Sequence, residues 1–214
     1  GTAVHKVFLT PTSHLEAWPA LVERLRMPQQ TAELNLQPLP PAEALKADEL
    51  IEVEGLREAW SQLKDTHHFF ALLRKFGTAR TQALRLAGRE WAEPLAPELL
   101  PELLVEAGKA QVPIMVFVGN QHCIQIHSGP VRNLRWLDSW FNVLDPEFNL
   151  HLKTTGVVSL WRVRKPSSDG IITSWEAFDA NGNLVVQLFG ARKPGIPERN
   201  DWRELAESFA ELPA

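Results

Sequence analysis

His67 is the residue in this sequence best placed to meet a metal. Trp60, Leu63, His67, Phe70 and Arg74 recur at spacings of three and four, which puts them on one stripe if residues 57–76 are helical. An imidazole in such a stripe can present a neutral nitrogen to a metal while its neighbours exclude water. Phe70, one turn on, would lie beside any flat ligand held there. The same pattern describes a hydrogen-bonded core histidine, and the residues alone favour that plainer reading. His68 projects about 100° away on ideal helix geometry, so one helix cannot aim both rings axially at one metal. Asp65 precedes His67 by two residues and is poorly placed on a helix to pair with it.

A second constellation is cationic. Arg162, Arg164 and Lys165 precede Pro166, and Arg192 and Lys193 follow the end of another apolar run. Cations at a sheet rim suit a carboxylate or a phosphate; they also suit plain solvation. Strand alternation puts Lys165 on the face of Trp161 and Val163, and Arg164 on the other. Lys165 is therefore the better candidate to face an apolar pocket. Asp145, Glu147, Asp169, Glu176 and Asp179 read as turn or surface acids. His122 and His127 fall on opposite faces of a strand, which disfavours a shared metal site. There is no Gly-x-x-x-x-Gly-Lys-Ser/Thr, no Gly-x-Ser-x-Gly and no His-Glu-x-x-His.

These residues need elements to position them. Residues 3–9 read as a strand, and Ser13 with Glu16 reads as a capping box opening a helix over 13–27. Residues 28–48, with Pro38, Pro40 and Pro41, read as an exposed connection. A helix over 57–76 ends at Gly77, Thr78 can cap a helix over 79–87, and a further helix runs from Pro97 to Gly108. From Val112 the pattern becomes that of strands: 112–118, 122–128, 131–137, 148–153, 157–165, 171–179 and 184–190. The turns Gly119-Asn120 and Ala180-Asn-Gly-Asn183 make hairpins. A terminal helix carries Trp202, Leu205 and Phe209. Strands joined by short turns, with helices before and after, predict an α+β fold around a large antiparallel sheet. Its sections are helical over 13–108, sheet-rich over 112–192 and helical over 198–210, in one domain over 1–214.

Composition sets the remaining bounds. The 214 residues are 44% hydrophobic and 22% charged, an ordinary globular balance that excludes a disordered tail or a disulfide-rich miniprotein. A net charge of −4 argues against nucleic-acid binding through bulk positive charge. Cys123 is the only cysteine, so no intrachain disulfide and no cysteine-built metal cluster is available; it reads as a small buried residue. No apolar run approaches the ~20 residues of a membrane span, and residues 1–9 do not read as a signal peptide. The start at Gly1, inside what reads as a strand, suggests a piece of a longer chain.

Several segments together resemble the HemS/ChuS-type hemin-degrading and haem-transport family of bacterial haem uptake. They are Gly119-Asn-Gln-His-Cys-Ile-Gln-Ile-His-Ser-Gly-Pro130, Trp140-Phe-Asn-Val-Leu-Asp-Pro-Glu-Phe-Asn-Leu-His-Leu152, Val163-Arg-Lys-Pro-Ser-Ser-Asp-Gly170, Phe178-Asp-Ala-Asn-Gly-Asn183 and Phe189-Gly-Ala-Arg-Lys-Pro-Gly-Ile-Pro-Glu198. Ala3-Val-His-Lys-Val7 and Asp65-Thr-His-His-Phe-Phe70 extend the resemblance over almost the whole chain.

Family members are usually two similar halves in tandem, and this chain resembles the C-terminal half. The resemblance implies that His67, in its Asp-x-His-x-Phe-Phe context, ligates haem iron, with His68 as a neighbour able to substitute. It also implies a haem-facing surface of Phe70, Arg80, Phe117 and Gln187, with Lys165 and Arg192 at the propionates. Gly190, between Gln187 and Arg192, is a place where strand alternation can break. The family's distal side also draws residues, one of them basic, from the N-terminal half, so an exposed distal face is expected.

The implied function is a cytoplasmic haem carrier receiving imported haem and passing it to another protein. Oxygen-dependent haem degradation, with electrons from outside, is the alternative; a half-domain serving fold or partner contact without its own haem is a third. Expected partners are haem and a haem importer or haem-accepting enzyme, with homodimerisation left open and neither nucleic acid nor membrane insertion expected. Haem needs one imidazole, aromatic walls and rim cations, and each residue type is present.

Overall fold

The computed structural model describes residues 8–31, 33, 45–120, 123–210 and 212. The chain divides into two units, residues 1–42 with 120–123, and residues 43–119 with 124–214. In the first, α1 (Ala17–Leu25) starts at Glu16 without a side-chain cap. Ser13 instead closes a turn on Thr10, so the expected capping box is not formed. The expected strand over 3–9 lies mostly outside the described residues, and Phe8 and Leu9 are not in a strand. Most of the expected connection over 28–48 lies outside them too.

The second unit holds the remaining elements. In chain order they are α2 (Val53–Ser61), α3 (Phe69–Phe76), α4 (Arg80–Ala87), β1 (Ala92–Leu95), α5 (Leu99–Lys109), β2 (Ile114–Gly119), β3 (Ile124–Gly129), β4 (Leu134–Leu137), β5 (Trp140–Asp145), β6 (Phe148–Lys153), β7 (Ser159–Ser167), β8 (Gly170–Phe178), β9 (Leu184–Gly190) and α6 (Asn200–Glu207). Six strands form one antiparallel sheet in the order β1-β7-β8-β9-β2-β3, and β4-β5-β6 form a second. The α+β class read from the sequence is therefore the fold of the chain.

Alternation splits the large sheet into two differently covered faces. Leu160, Trp175, Leu188 and Val116 face a core completed by α5, α6 and the small sheet, with Leu104, Phe141 and Trp202 fully buried. Val163 and Phe178 share the other core with Leu56 and Trp60 of α2, Phe69 and Leu72 of α3, and Leu84 of α4. Further along that second face, Phe117 and Phe189 meet edge to face at 5.1 Å and are half-buried.

Two strands escaped the sequence reading. β1 contains Glu93 and Pro94, a poor strand by composition. It is tolerated because it is an edge, where a missing N–H costs no ladder bond. β5 lies between β4 and β6, and its Phe141, Asn142 and Val143 are all buried, so it lacks a clean period-two signal. Thr78 does not cap α4 either: its hydroxyl donates to Gln82 Oε1 at 3.0 Å. Gly77 does close α3, in the left-handed conformation at φ 59°.

Gly190 does not break the alternation of β9, which pairs in register with Ile114. Its missing side chain has another use: a Cβ there would stand 2.5 Å from Cγ of Trp202, which is fully buried under the sheet. Gly190→Ala should therefore destabilise the fold by ~1–3 kcal/mol through overpacking. Thermal unfolding of the variant checks this, and an unchanged midpoint would show that α6 shifts freely.

Candidate functional site

The helix expected over 57–76 is broken, and the break carries His67. α2 stops at Ser61, a 3₁₀ turn spans Thr66–His68, and α3 begins only at Phe69. Asp65 creates the turn. Its backbone is extended (φ −150°, ψ 134°), and its carboxylate accepts the His67 backbone N–H at 2.8 Å, as an N-cap does. The stripe is thereby interrupted: Trp60 and Leu63 are buried, whereas the His67 side chain is 90% exposed. His67 is not a core histidine.

The same turn reverses the expectation for Asp65. Off the helix, its Oδ1 lies 2.7 Å from Nδ1 of His67. The backbone N–H of His67 and then its ring hold the Asp65 carboxyl below its ordinary value. An ionised carboxylate can only accept, so Nδ1 carries the hydrogen and a neutral ring keeps its lone pair on Nε2. A carboxylate behind one ring nitrogen is the arrangement that orients histidine ligands of metals.

The turn is tied to the sheet from below. Trp60 Nε1 donates to the Arg164 carbonyl at 2.9 Å, and the Ser168 N–H donates to the Lys64 carbonyl at 2.9 Å. Phe69, two residues after His67, is buried edge-on against Trp60 at 4.7 Å. Phe70, the next residue, is exposed.

Beneath Phe69 lies a buried ionic cluster centred on Glu176 of β8. Arg80 clamps it through two bonds, Nε to Oε2 at 2.7 Å and Nη2 to Oε1 at 2.8 Å. Lys165 Nζ donates to Oε1 at 2.5 Å, Gln187 Nε2 at 3.0 Å and Ser174 Oγ at 3.1 Å. The Arg80 guanidinium lies 5.0 Å from the Phe69 ring centre and 5.7 Å from that of Phe70, and Lys165 Nζ lies 4.7 Å from that of Phe69.

Two cations share one carboxylate, and that decides their titration. Burial pushes the Glu176 carboxyl up, but Arg80 and Lys165 outweigh it and hold the group far below the usual carboxylate range. Burial pulls the Lys165 ammonium down to about 8; Glu176 opposes this, and Arg80 adds to it. Glu176, by its scattered position an expected turn or surface acid, is fully buried. The signal was present: it is the one charge in the otherwise uncharged run Ile171–Phe178, and a buried charge must have partners.

The candidate residues divide accordingly. Phe70, Arg80, Lys165 and Gln187 are joined through this cluster, and Phe117 pairs across the strands with Gln187. Lys165 does face the Val163 side, as alternation required, but its ammonium is buried under Phe69 and is not at a solvent-facing rim. Arg192 stands apart, past the end of β9, where Nη2 donates to Asp169 Oδ2 at 2.6 Å. Asp169 also accepts the Gly195 N–H at 3.0 Å. Arg162 and Arg164 are engaged on the opposite face of β7 with Glu93. His122 lies outside the described residues, and Cys123 is half-buried rather than buried. Among the described residues no group of three or more His, Cys, Asp or Glu is gathered to hold a metal unaided, and no helix is long and apolar enough to cross a membrane.

Known proteins share this sequence and fold. The heme-binding protein PhuS of Pseudomonas aeruginosa, solved in a holo form, is 66% identical, superposes with a TM-score of 0.93, and is matched over 98% of this chain and 60% of its own. The heme degrading enzyme ChuS of Escherichia coli O157:H7 is 32% identical with a TM-score of 0.83, matched over 94% of this chain and 57% of its own. The hemin transport protein HmuS of Yersinia pestis is 38% identical over 207 residues, which are 95% of this chain and 58% of HmuS. The chain thus spans a little over half the length of these relatives. Residues 77–209, from the end of α3 to just past α6, match the haemin-degrading HemS.ChuX domain, and with this match and the two-faced sheet the chain belongs to that family.

Proposed function

We propose that this chain binds haem as cargo in the cytoplasm, with His67 as the iron ligand, and passes it to a haem-accepting protein. The observation that carries the reading is the Asp65–His67 pair: an exposed imidazole whose Nδ1 is held by a carboxylate, leaving Nε2 for a metal. The surroundings suit the cargo. Phe70 is an exposed aromatic three residues on, and Arg80, Gln187 and Phe117 continue from it across the sheet. Lys165 supports this surface from beneath, so Arg192 is the rim cation for the propionates. When bound, haem brings an iron that takes axial ligands and two carboxylates that need cations. The 66% identity to PhuS, a heme-binding protein, supports the same reading.

Hemin titration followed by absorbance tests it. A saturable Soret change is expected, and its absence would leave the chain a half-domain without its own haem. Haem degradation is a second reading, favoured by the likeness to ChuS, a heme degrading enzyme. Incubation with reductant and oxygen separates the two: bilin products support degradation, and intact transfer to apomyoglobin supports carriage.

Arg192 gives a quantitative check. Its guanidinium is already shared with Asp169, so a propionate gains only part of its charge. Arg192→Ala should weaken hemin binding by no more than about fivefold, or ~1 kcal/mol. The effect should shrink at high salt and vanish for the hemin diester. An equal loss for hemin and its diester would remove Arg192 from the propionates.

A further inference from the structure

We propose that Glu176 is a positioning residue for His67: it gathers Arg80 and Lys165 beneath the Phe69 ring and so fixes the turn from which His67 projects. The inference rests on the reading of His67 as the iron ligand and adds to it a residue that touches no ligand. The physical path is short. Glu176 sits in the centre of the sheet and accepts five hydrogen bonds from four side chains, those of Arg80, Lys165, Ser174 and Gln187. Two of those donors are cations held 5.0 and 4.7 Å from the centre of the Phe69 ring, within reach of its electron-rich face. Phe69 is the first residue of α3, directly after the 3₁₀ turn Thr66–His68. Its burial therefore sets where that turn stands over the sheet.

The arrangement also explains why four carboxylate-bound side chains converge on one point. Without Glu176, Arg80 and Lys165 would repel each other. Arg80 would be free to leave Phe69 and Phe70, and Lys165 would lose its ion-pair partner. The turn would then be held by the Asp65 cap, the Trp60 and Lys64 bonds and the packing of Phe69 on Trp60, without the two cations that fix the Phe69 ring from the sheet side. Neighbouring His68, also exposed, would compete with His67 for the same metal.

The test uses hemin titration and the ferric and ferrous absorbance spectra of Glu176→Gln, alone and with His68→Ala. Glu176→Gln should weaken hemin binding by about 10- to 100-fold, as loss of groups that orient a metal ligand does. It should also give a mixture of ligated species that collapses to one when His68→Ala is added. In the native background His68→Ala should leave the spectrum unchanged. Should Glu176→Gln fail to fold, adding Lys165→Met leaves one cation, Arg80, without its carboxylate instead of two, and that variant should show the same mixture.

A single native-like species with native affinity in either folded variant would overturn the proposal. So would weakened binding without spectral heterogeneity, because that marks a structural effect alone. His67→Ala separates the two levels. If its spectrum and affinity match the native chain, the ligand reading itself fails, whatever Glu176 does.

Discussion

His67→Ala should abolish the native Soret band and weaken hemin binding by on the order of a hundredfold, about 2.7 kcal/mol. The loss is bounded if Phe70 and Phe117 line the proposed site, because their apolar contacts would remain and hold the macrocycle loosely. His68 is the complication. It is exposed in the same 3₁₀ turn, so a shifted spectrum with residual affinity means that it substitutes, and the double variant should then lose axial ligation altogether. An unchanged spectrum in the double variant would place the iron ligand elsewhere. Asp65→Asn refines the test. An Asn side chain still accepts the His67 N–H and caps the turn, but it places no charge behind the ring. A reduction of about 10- to 100-fold with an intact fold would isolate the orienting role of the carboxylate, whereas native affinity would show that the cap alone matters.

The parts of this site that could be read in advance were those carried by local pattern. Strand alternation correctly put Lys165 on the Val163 face, and Gly77 correctly ended α3, because both depend on a few neighbouring residues. The missed parts depended on distant ones. The stripe from Trp60 to Arg74 satisfies helical spacing, yet Asp65 uses its side chain to satisfy the His67 N–H and starts a new turn. The spacing describes a continuous helix equally well, and only capping chemistry breaks it. Glu176 looked like a surface acid because its partners, Arg80 and Lys165, are 96 and 11 residues away in the chain. Pairing across β7, β8 and β9 brings them together. The family resemblance picked out Arg80, Lys165 and Gln187 as a set, and their common hydrogen-bond acceptor is the residue it left out.

The opposite face of β7 supplies the other large effect. Arg162→Met should destabilise the fold by about 3 kcal/mol, lowering Tm by roughly 10 °C for a domain of this size, while the folded fraction keeps native hemin affinity. Arg162 looked like one more cation at a ligand rim. It is buried instead, with Nε on Glu93 Oε2 at 2.5 Å and Nη1 on the carbonyls of Ala206 and Phe209 at 3.1 and 2.9 Å. It thereby joins edge strand β1 to the end of α6 and the residues just past it, sharing the Ala206 carbonyl with Trp175 Nε1, which donates to it at 3.2 Å. The loss stays near the lower end for a broken buried pair because Arg164 Nη1 remains 3.0 Å from Glu93, so the carboxylate is not stranded. Parallel unfolding and hemin titrations of Arg162→Met check both halves of the expectation. Reduced hemin affinity in the folded variant would mean that the two faces of β7 are coupled, and the assignment of ligand chemistry to the Lys165 face alone would have to be withdrawn.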